Sequence, residues 1–129
     1  MKILLCRGNI QNAKSYPDDF WEEFLALIKD HEVKEITGIL PEQEIIDLVN
    51  WSDKWVSIDS FLQHLCAYHK LKPGVVLWGK SNPAIFGYKH NINLHKGRFR
   101  PDQFRWWQDV KHDPNDFVSP EVLKNAIMK

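Results

Sequence analysis

Residues 55–65 read WVSIDSFLQHL, a short apolar run joined to a second apolar segment by two small polar residues. The run over residues 55–58 predicts a strand, and the apolar positions from Phe61 onwards predict a helix. Asp59 and Ser60 lie between the two. Because a strand followed directly by a helix is the repeating unit of α/β proteins, this stretch predicts an α/β fold.

The same alternation extends in both directions from this stretch. Further strands are predicted at residues 3–6, 33–38 and 75–78, and further helices at 18–29, 41–49 and 119–127. Short connections between alternating strands and helices predict a parallel sheet with right-handed crossovers. We therefore expect a Rossmann-like three-layer fold with a short parallel sheet of about four strands.

Length and composition bound the remaining possibilities. A chain of 129 residues fits one domain, so we expect residues 1–129 to form a single unit, with a core over 1–88. Residues 89–129 are predicted to be an irregular segment followed by the C-terminal helix, with one helical turn around residues 103–109. Hydrophobic residues at 43% and charged residues at 26% are typical of globular proteins.

Charge and hydropathy exclude several classes of protein. Lys+Arg and Asp+Glu are equal at 17 each, so the chain has no global field that attracts nucleic acid or an anionic membrane. No apolar run approaches the roughly 20 residues that span a bilayer, and the N-terminal run is too short for a signal peptide. The two cysteines indicate buried thiols in a reducing compartment. We expect a cytoplasmic protein without an integral membrane segment.

Candidate ligand-binding residues lie at the predicted strand ends. Open parallel sheets bind ligands beyond the carboxyl ends of their strands, where Gly8, Asp59, Ser60 and Ser81 lie. Asp59 and Ser60 precede a helix, whose free amide groups and dipole attract anions. The spacing of Ser60 and Gln63 also matches a capping box, and from spacing alone the cap is the favoured interpretation.

Four motifs in order resemble the heptosyltransferase family of glycosyltransferases. Residues 55–65 resemble its V-x-x-D-[ST]-G-x-x-H-L signature, and residues 77–88, LWGKSNPAIFGY, resemble its [FY]-G-P-[TS]-x-P loop. Residues 14–17, KSYP, resemble K-x-W-P. Residues 36–48, ITGILPEQEIIDL, resemble L-T-G-x-x-[ST]-L-x-E-L. Together these motifs cover roughly residues 1–88.

This resemblance implies the C-terminal, donor-binding half of a two-domain, GT-B type, metal-independent, inverting transferase. That half holds an ADP-sugar or a similar donor between the two lobes. On the resemblance, Lys14 neutralises the diphosphate, Asp59 and Ser60 cradle phosphate or sugar, and His64 lies one turn further in. With Gly8 and Ser81 at neighbouring strand ends, these residues form the expected substrate-binding set. The nucleotide sugar is a substrate, and neither a cofactor nor a metal is expected.

The family's acceptor-binding lobe, which supplies the carboxylate thought to act as general base, has no counterpart in the sequence. We therefore expect glycosyl transfer only with a partner lobe, supplied by another protein or by a homo-oligomer, and we assign no catalytic residue. The alternative is a non-catalytic glycosyltransferase remnant that acts as a protein-interaction module.

Three departures from the family pattern bear on this choice. Phe61 replaces the glycine that lets a ligand approach the backbone, which narrows the pocket. Lys80 replaces the proline after Gly79, where it either adds positive charge or is simply exposed. A strand–helix unit is missing between the helix at 18–29 and the strand at 33–38.

Other features have less specific interpretations. Residues 90–107 combine basic and aromatic side chains, as single-stranded nucleic-acid sites do, but nearby aspartates dilute the charge. Their aromatic side chains are expected to cover one side of the sheet. The six histidines show no metal-binding pattern. Trp51 and Trp55 are interpreted as packing residues, and Cys6 and Cys66 are expected to lie near each other in one core layer.

Overall fold

The computed structural model describes residues 1–8, 13–104 and 110–129. Its strands are β1 (Lys2–Cys6), β2 (Glu32–Glu35), β3 (Lys54–Ile58), β4 (Val75–Leu77) and β5 (Ile92–Leu94). They form one parallel sheet in the order β2-β1-β3-β4-β5. The helices are α1 (Asp18–Leu27), α2 (Glu42–Trp51), α3 (Phe61–Tyr68), α4 (Pro83–Phe86) and α5 (Pro120–Ile127), with a 3-10 helix at Pro114–Asp116.

The predicted α/β fold is confirmed, and the structure adds two elements, α4 and β5, that the sequence did not predict. β5 pairs with β4 at one edge of the sheet, and α4 follows β4. Both are very short, three and four residues, so neither has room for a hydrophobic period that a sequence pattern can reveal. The helical turn predicted around residues 103–109 falls mostly on residues outside the described part of the chain.

Helices cover both faces of the sheet. On one face, α1 and α5 pack against Ile3, Leu5 and Val56, and on the other face α2 and α3 pack against Leu4, Cys6 and Val76. Four consecutive side chains of β1, from Ile3 to Cys6, are buried, which shows that this strand is covered on both sides. The three-layer arrangement follows directly from this double burial.

Two expectations about core residues are confirmed. Cys6 and Cys66 belong to the same buried cluster, between the sheet and α3, and both are free thiols. Trp55 is fully buried and its indole Nε1 donates to the Lys72 carbonyl at 2.9 Å, so it is a packing residue. Trp51 is half-buried, with the Lys34 Nζ 4.4 Å from its ring centroid.

The strand order places a topological switch point between β1 and β3. From β1 the chain continues through α1 to β2 on one side, and from β2 it returns through α2 to β3 on the other side of β1. The connections that leave β1 and β3 therefore diverge to opposite faces. In open α/β sheets this divergence leaves a crevice outside the carboxyl ends of the two strands, and ligands bind there.

Candidate functional site

Three of the predicted binding residues lie at the switch point. Gly8 follows β1 with φ 85°, a left-handed conformation that favours glycine. Lys14 lies in the connection from β1 to α1, and its Nζ is 3.3 Å from Oδ2 of Asp59, which follows β3. A Cβ on Gly8 would lie 2.9 Å from Ile58 Cδ1, so the backbone after β1 passes close to the end of β3. Two distant loops thus form one small polar cluster.

The amino end of α3 does not carry the predicted capping box. Ser60 is the N-cap residue, but its side chain accepts no hydrogen bond from the helix. Its hydroxyl lies 3.3 Å from the hydroxyl of Ser57, and Gln63 Nε2 donates to Asp59 Oδ1 at 3.0 Å. The capping-box prediction is wrong because the Ser60 hydroxyl lies against the Ser57 hydroxyl, and the Gln63 side chain donates to Asp59, so the two side chains of the motif have other partners. The first amide groups of α3 therefore have no side-chain cap, as an anion site requires.

A buried thiol lies beneath this helix end. Cys6, the last residue of β1, is 1% exposed, and burial raises the pKa of its thiol. Hydrogen bonds with the Gly8 backbone and with the hydroxyls of Ser57 and Ser60 oppose that rise in part. A raised pKa keeps the thiol protonated near neutral pH, so Cys6 is a packing group and not a nucleophile.

Two buried polar atoms near the strand ends have no hydrogen-bond partner among the described residues. They are Oε1 of Gln63, whose side chain is fully buried, and Oγ of Ser81, which is 2% exposed. Ser81 follows β4, as predicted, and the backbone amide of its neighbour Asn82 donates to Gln103 Oε1 at 2.8 Å. An unpartnered buried polar atom costs about 1–3 kcal/mol, so a ligand or water that bonds either atom offsets this cost.

Lys80 takes a role that neither sequence alternative described. Its ammonium pairs with Asp116, a carboxylate that is 2% exposed, and Arg98 Nε also bonds Asp116 at 3.1 Å. The positive charge of Lys80 is therefore neutralised within the fold. The pair ties the loop after β4 to the 3-10 helix, 36 residues later in the chain. No local motif could have indicated this partner.

His64 lies on the outer side of α3. It is exposed, and its Nδ1 lies 2.7 Å from the hydroxyl of Tyr88, with ring centroids 5.5 Å apart. Tyr88 also lies beside His90, at a centroid distance of 5.6 Å. The structure therefore brings His64 together with Tyr88, a residue that belongs to a quoted motif but was not selected as a site residue.

The basic and aromatic stretch is arranged differently from the sequence expectation. Phe104 is 80% exposed and contacts Phe86 at its edge, so the prediction that this residue covers the sheet is wrong. Arg98 pairs with Asp113 and Asp116, which offsets its own positive charge. Residues 105–109, with two of the tryptophans, lie outside the described part of the chain.

Within residues 1–8, 13–104 and 110–129, no group of three or more His, Cys, Asp or Glu side chains is arranged to hold a metal ion. In the same residues, no helix combines the length and apolar character needed to cross a membrane.

The sequence matches no protein-family model and no curated protein. Its fold is nevertheless similar to those of solved heptosyltransferases. E. coli heptosyltransferase WaaC with ADP superposes with a TM-score of 0.68 at 14% identity, over 98% of this chain and 43% of WaaC. The dodecameric, iron-containing heptosyltransferase TibC in complex with ADP-D-β-D-heptose gives a TM-score of 0.56 at 16% identity, over 92% and 35%.

TibC from enterotoxigenic E. coli H10407 gives the same TM-score and identity, over 92% of this chain and 36% of its own. At these identities the likeness shows the fold. The chain has the fold of part of a GT-B heptosyltransferase and spans less than half the length of these proteins. The resemblance expected from the four motifs is thereby confirmed at the level of the fold.

Proposed function

We propose that this chain is the nucleotide-sugar-binding domain of a glycosyltransferase and that it transfers a glycosyl group only together with an acceptor-binding lobe. The observation that carries the proposal is the cluster at the carboxyl ends of β1 and β3, where Gly8 and the Lys14–Asp59 pair lie before the uncapped start of α3. A crevice at this place in an open α/β sheet is the usual ligand site of such folds.

The chemistry of the crevice suits a diphosphate. The Lys14 ammonium is paired with Asp59 in the structure, and in the proposal it exchanges this carboxylate for a phosphate oxygen when a diphosphate binds beside the helix end. The free amides of α3 and the positive end of its dipole add donors for phosphate oxygens. Asp59, held by Gln63, then offers a carboxylate that accepts hydrogen bonds from sugar hydroxyls. Ser60 and Ser81 add hydroxyl groups at the two adjacent strand ends.

A second lobe completes the proposed enzyme. A transferase must hold donor and acceptor in one geometry, and that positioning supplies a large part of the rate. Ile85 and Phe104 are 49% and 80% exposed in segments that follow β4 and β5, at the same edge of the sheet as the crevice. We propose that this edge faces the acceptor-binding lobe. Cytoplasmic residence is part of the proposal, supported by the two buried free thiols.

The test is ligand binding by thermal shift, confirmed by calorimetry, with ADP, UDP, GDP, CMP and several of their sugar conjugates. A ligand at a hundred times its Kd stabilises a fold by about 2.7 kcal/mol, which is a clear shift for this size of protein. ADP comes first because WaaC and TibC were solved with ADP and ADP-D-β-D-heptose.

Lys14→Ala should weaken binding of a nucleoside diphosphate severalfold, because it removes the cation beside the phosphates. The matched control is Lys29→Ala, an exposed lysine between α1 and β2 at the opposite edge of the sheet. Equal affinities of the wild type and Lys14→Ala would show that Lys14 does not contact the phosphates.

A second candidate function is a non-catalytic remnant that binds another protein, favoured by the exposure of Phe104. No response to any nucleotide, together with concentration-dependent association in sedimentation, would select this candidate. A nucleotide-selective response would reject it.

A further inference from the structure

A pocket with two basic side chains lies at the end of the sheet opposite the candidate donor site. It has a volume of about 390 Å³ and is lined by Cys66, Ala67, Lys70, Leu71, Pro73 and His90. The first five belong to the end of α3 and its connection to β4, and His90 lies in the connection to β5. Both connections enter the parallel sheet at the amino ends of their strands. The donor site lies at the carboxyl ends, so the two sites are separate.

The lining combines an apolar wall with basic side chains. None of the six residues is acidic, and the four other than Lys70 and His90 are apolar. Both basic side chains are exposed, and among the residues that the structure describes neither has a hydrogen-bond or ion-pair partner. Lys80 differs from them, because its charge is paired with Asp116. The basic groups of the pocket are therefore available to an anion.

The last carbonyl groups of α3 do not occupy these basic groups. A helix end attracts cations through its unsatisfied carbonyl oxygens. Here the Leu71 amide donates to the Cys66 carbonyl at 2.9 Å, and the Lys70 amide donates to the Ala67 carbonyl at 3.2 Å. Because backbone amides satisfy these two carbonyls, the Lys70 ammonium is left for a ligand.

Local structure holds both basic residues in place. Lys70 has φ 53°, a left-handed conformation that is unfavourable for a residue with a Cβ and that recurs at ligand sites. The His90 ring lies 5.6 Å from the ring of Tyr88, whose hydroxyl is 2.7 Å from His64 Nδ1. Side chains that are already held lose less entropy when a ligand binds.

A buried amide lies directly behind the pocket wall. Asn91 follows His90, is 6% exposed, and accepts the Gly74 amide at its Oδ1 at 3.1 Å, next to Pro73. Its Nδ2 has no hydrogen-bond partner within the described part of the chain. An unpartnered buried donor is unfavourable, so a ligand oxygen or a water that reaches Nδ2 stabilises the site.

We infer that this pocket binds a small organic anion, with the charged head at Lys70 and His90 and a ring-sized apolar body against the other lining residues. The volume lies near the lower limit of the roughly 300–1,000 Å³ of small-molecule sites, which suits one ring with one anionic group. The inference does not rest on the proposed donor function, because the pocket shares no residue with the donor site.

The experiment uses phenyl phosphate as the probe and follows the amide chemical shifts of the ¹⁵N-labelled protein by NMR. Amides in residues 66–71 and 90–91 should shift with a Kd on the order of 1 mM, which is typical of a ligand of this size. Inorganic phosphate lacks the ring and benzyl alcohol lacks the charge. Each of these two should bind at least about fivefold more weakly.

Lys70→Ala should weaken phenyl phosphate binding at these amides by about three- to fivefold, the usual effect of an exposed charge pair. The matched control is Lys89→Ala, since Lys89 is an exposed lysine next to His90 that does not line the pocket. This control should leave the affinity for phenyl phosphate unchanged, and neither substitution should change the binding of ADP.

Three results would overturn the inference. The first is the absence of shifts in residues 66–71 and 90–91, including the case in which phenyl phosphate shifts only Gly8 and Ser60 at the donor site. The second is equal binding of benzyl alcohol and phenyl phosphate, and the third is equal affinity of the two lysine variants. Should Lys70→Ala fail to fold, the comparison of the two ligands on the wild type decides. Nucleotide binding tests the donor site separately, so either proposal can fail alone.

Discussion

At the scale of single residues, Lys70 is the one non-glycine residue with a positive φ in the described part of the chain, at 53°. It follows the last turn of α3, where the Leu71 amide donates to the Cys66 carbonyl at 2.9 Å and closes the helix. Helices that end this way use glycine at this position, because a Cβ in the left-handed region costs about 1–2 kcal/mol. The structure therefore carries local strain at Lys70.

Lys70→Gly should raise the free energy of unfolding by about 0.5–1 kcal/mol, since glycine relieves the strain but loses more entropy on folding. Urea unfolding measures the change. Lys70→Ala is the control, because alanine keeps the Cβ and therefore keeps the backbone strain. Equal stability of the two variants would mean that the strained conformation is absent in solution.

At the scale of elements, two serines at helix starts have different roles. Ser119 caps α5, and its Oγ accepts from the Val122 amide at 3.4 Å, with Pro120 in the first turn. Ser60 also precedes a helix, yet its hydroxyl lies against Ser57 and not against an α3 amide. Only the first serine stabilises its helix by capping, and the second leaves the helix end free for an anion.

Ser119→Ala should lower the free energy of unfolding by about 1 kcal/mol, the usual cost of losing an N-cap. Ser60→Ala should cost less than about 0.5 kcal/mol, because no capping bond is lost. Chemical denaturation of both variants tests the pair together. Equal losses would show that Ser60 caps α3 and that the proposed anion site is occupied by its own hydroxyl.

At the scale of the whole molecule, burial couples stability to alkaline pH. Burial raises the pKa of Tyr16 above its ordinary value of 10.0 and raises the pKa of Cys66 from 9.0 to about 12. Each group therefore holds its proton more tightly in the folded state than in the unfolded state. The contribution of these two groups to the free energy of unfolding is complete below about pH 9. It is lost progressively as the pH rises through their pKa values in the unfolded state and then through those in the folded state.

The free energy of unfolding should therefore be flat from pH 7 to 8.5 and fall above it. If the pKa of the Cys66 thiol is 9.0 in the unfolded state, this group lowers the free energy of unfolding by about 1 kcal/mol by pH 9.5. Urea unfolding under reducing conditions at several pH values measures the slope. Cys66→Ala should be less stable at pH 7 and lose less between pH 7 and 9.5. An identical slope in this variant would contradict the assignment.

The sequence alone determined the fold class and the positions of the longer elements. Apolar runs and helical periods are local, and they report burial on one or both faces whatever the rest of the chain does. It also indicated that Gly8 and Asp59 lie at the same end of the sheet, because the carboxyl ends of parallel strands lie together, and the family resemblance added Lys14 to them. The order of the strands was not determined, so the switch point between β1 and β3 emerged only from the structure.

Only the tertiary structure decided which partner each polar side chain takes. The spacing of Ser60 and Gln63 allows a capping box, but Ser57 and Asp59 compete for the same groups and prevail. Lys80 pairs with Asp116, far along the chain, and Phe61 completes a groove with residues that follow β2. Spacing in the sequence shows which hydrogen bonds can form locally. Packing brings other polar groups close to the same side chains, and these contacts decide which bonds form.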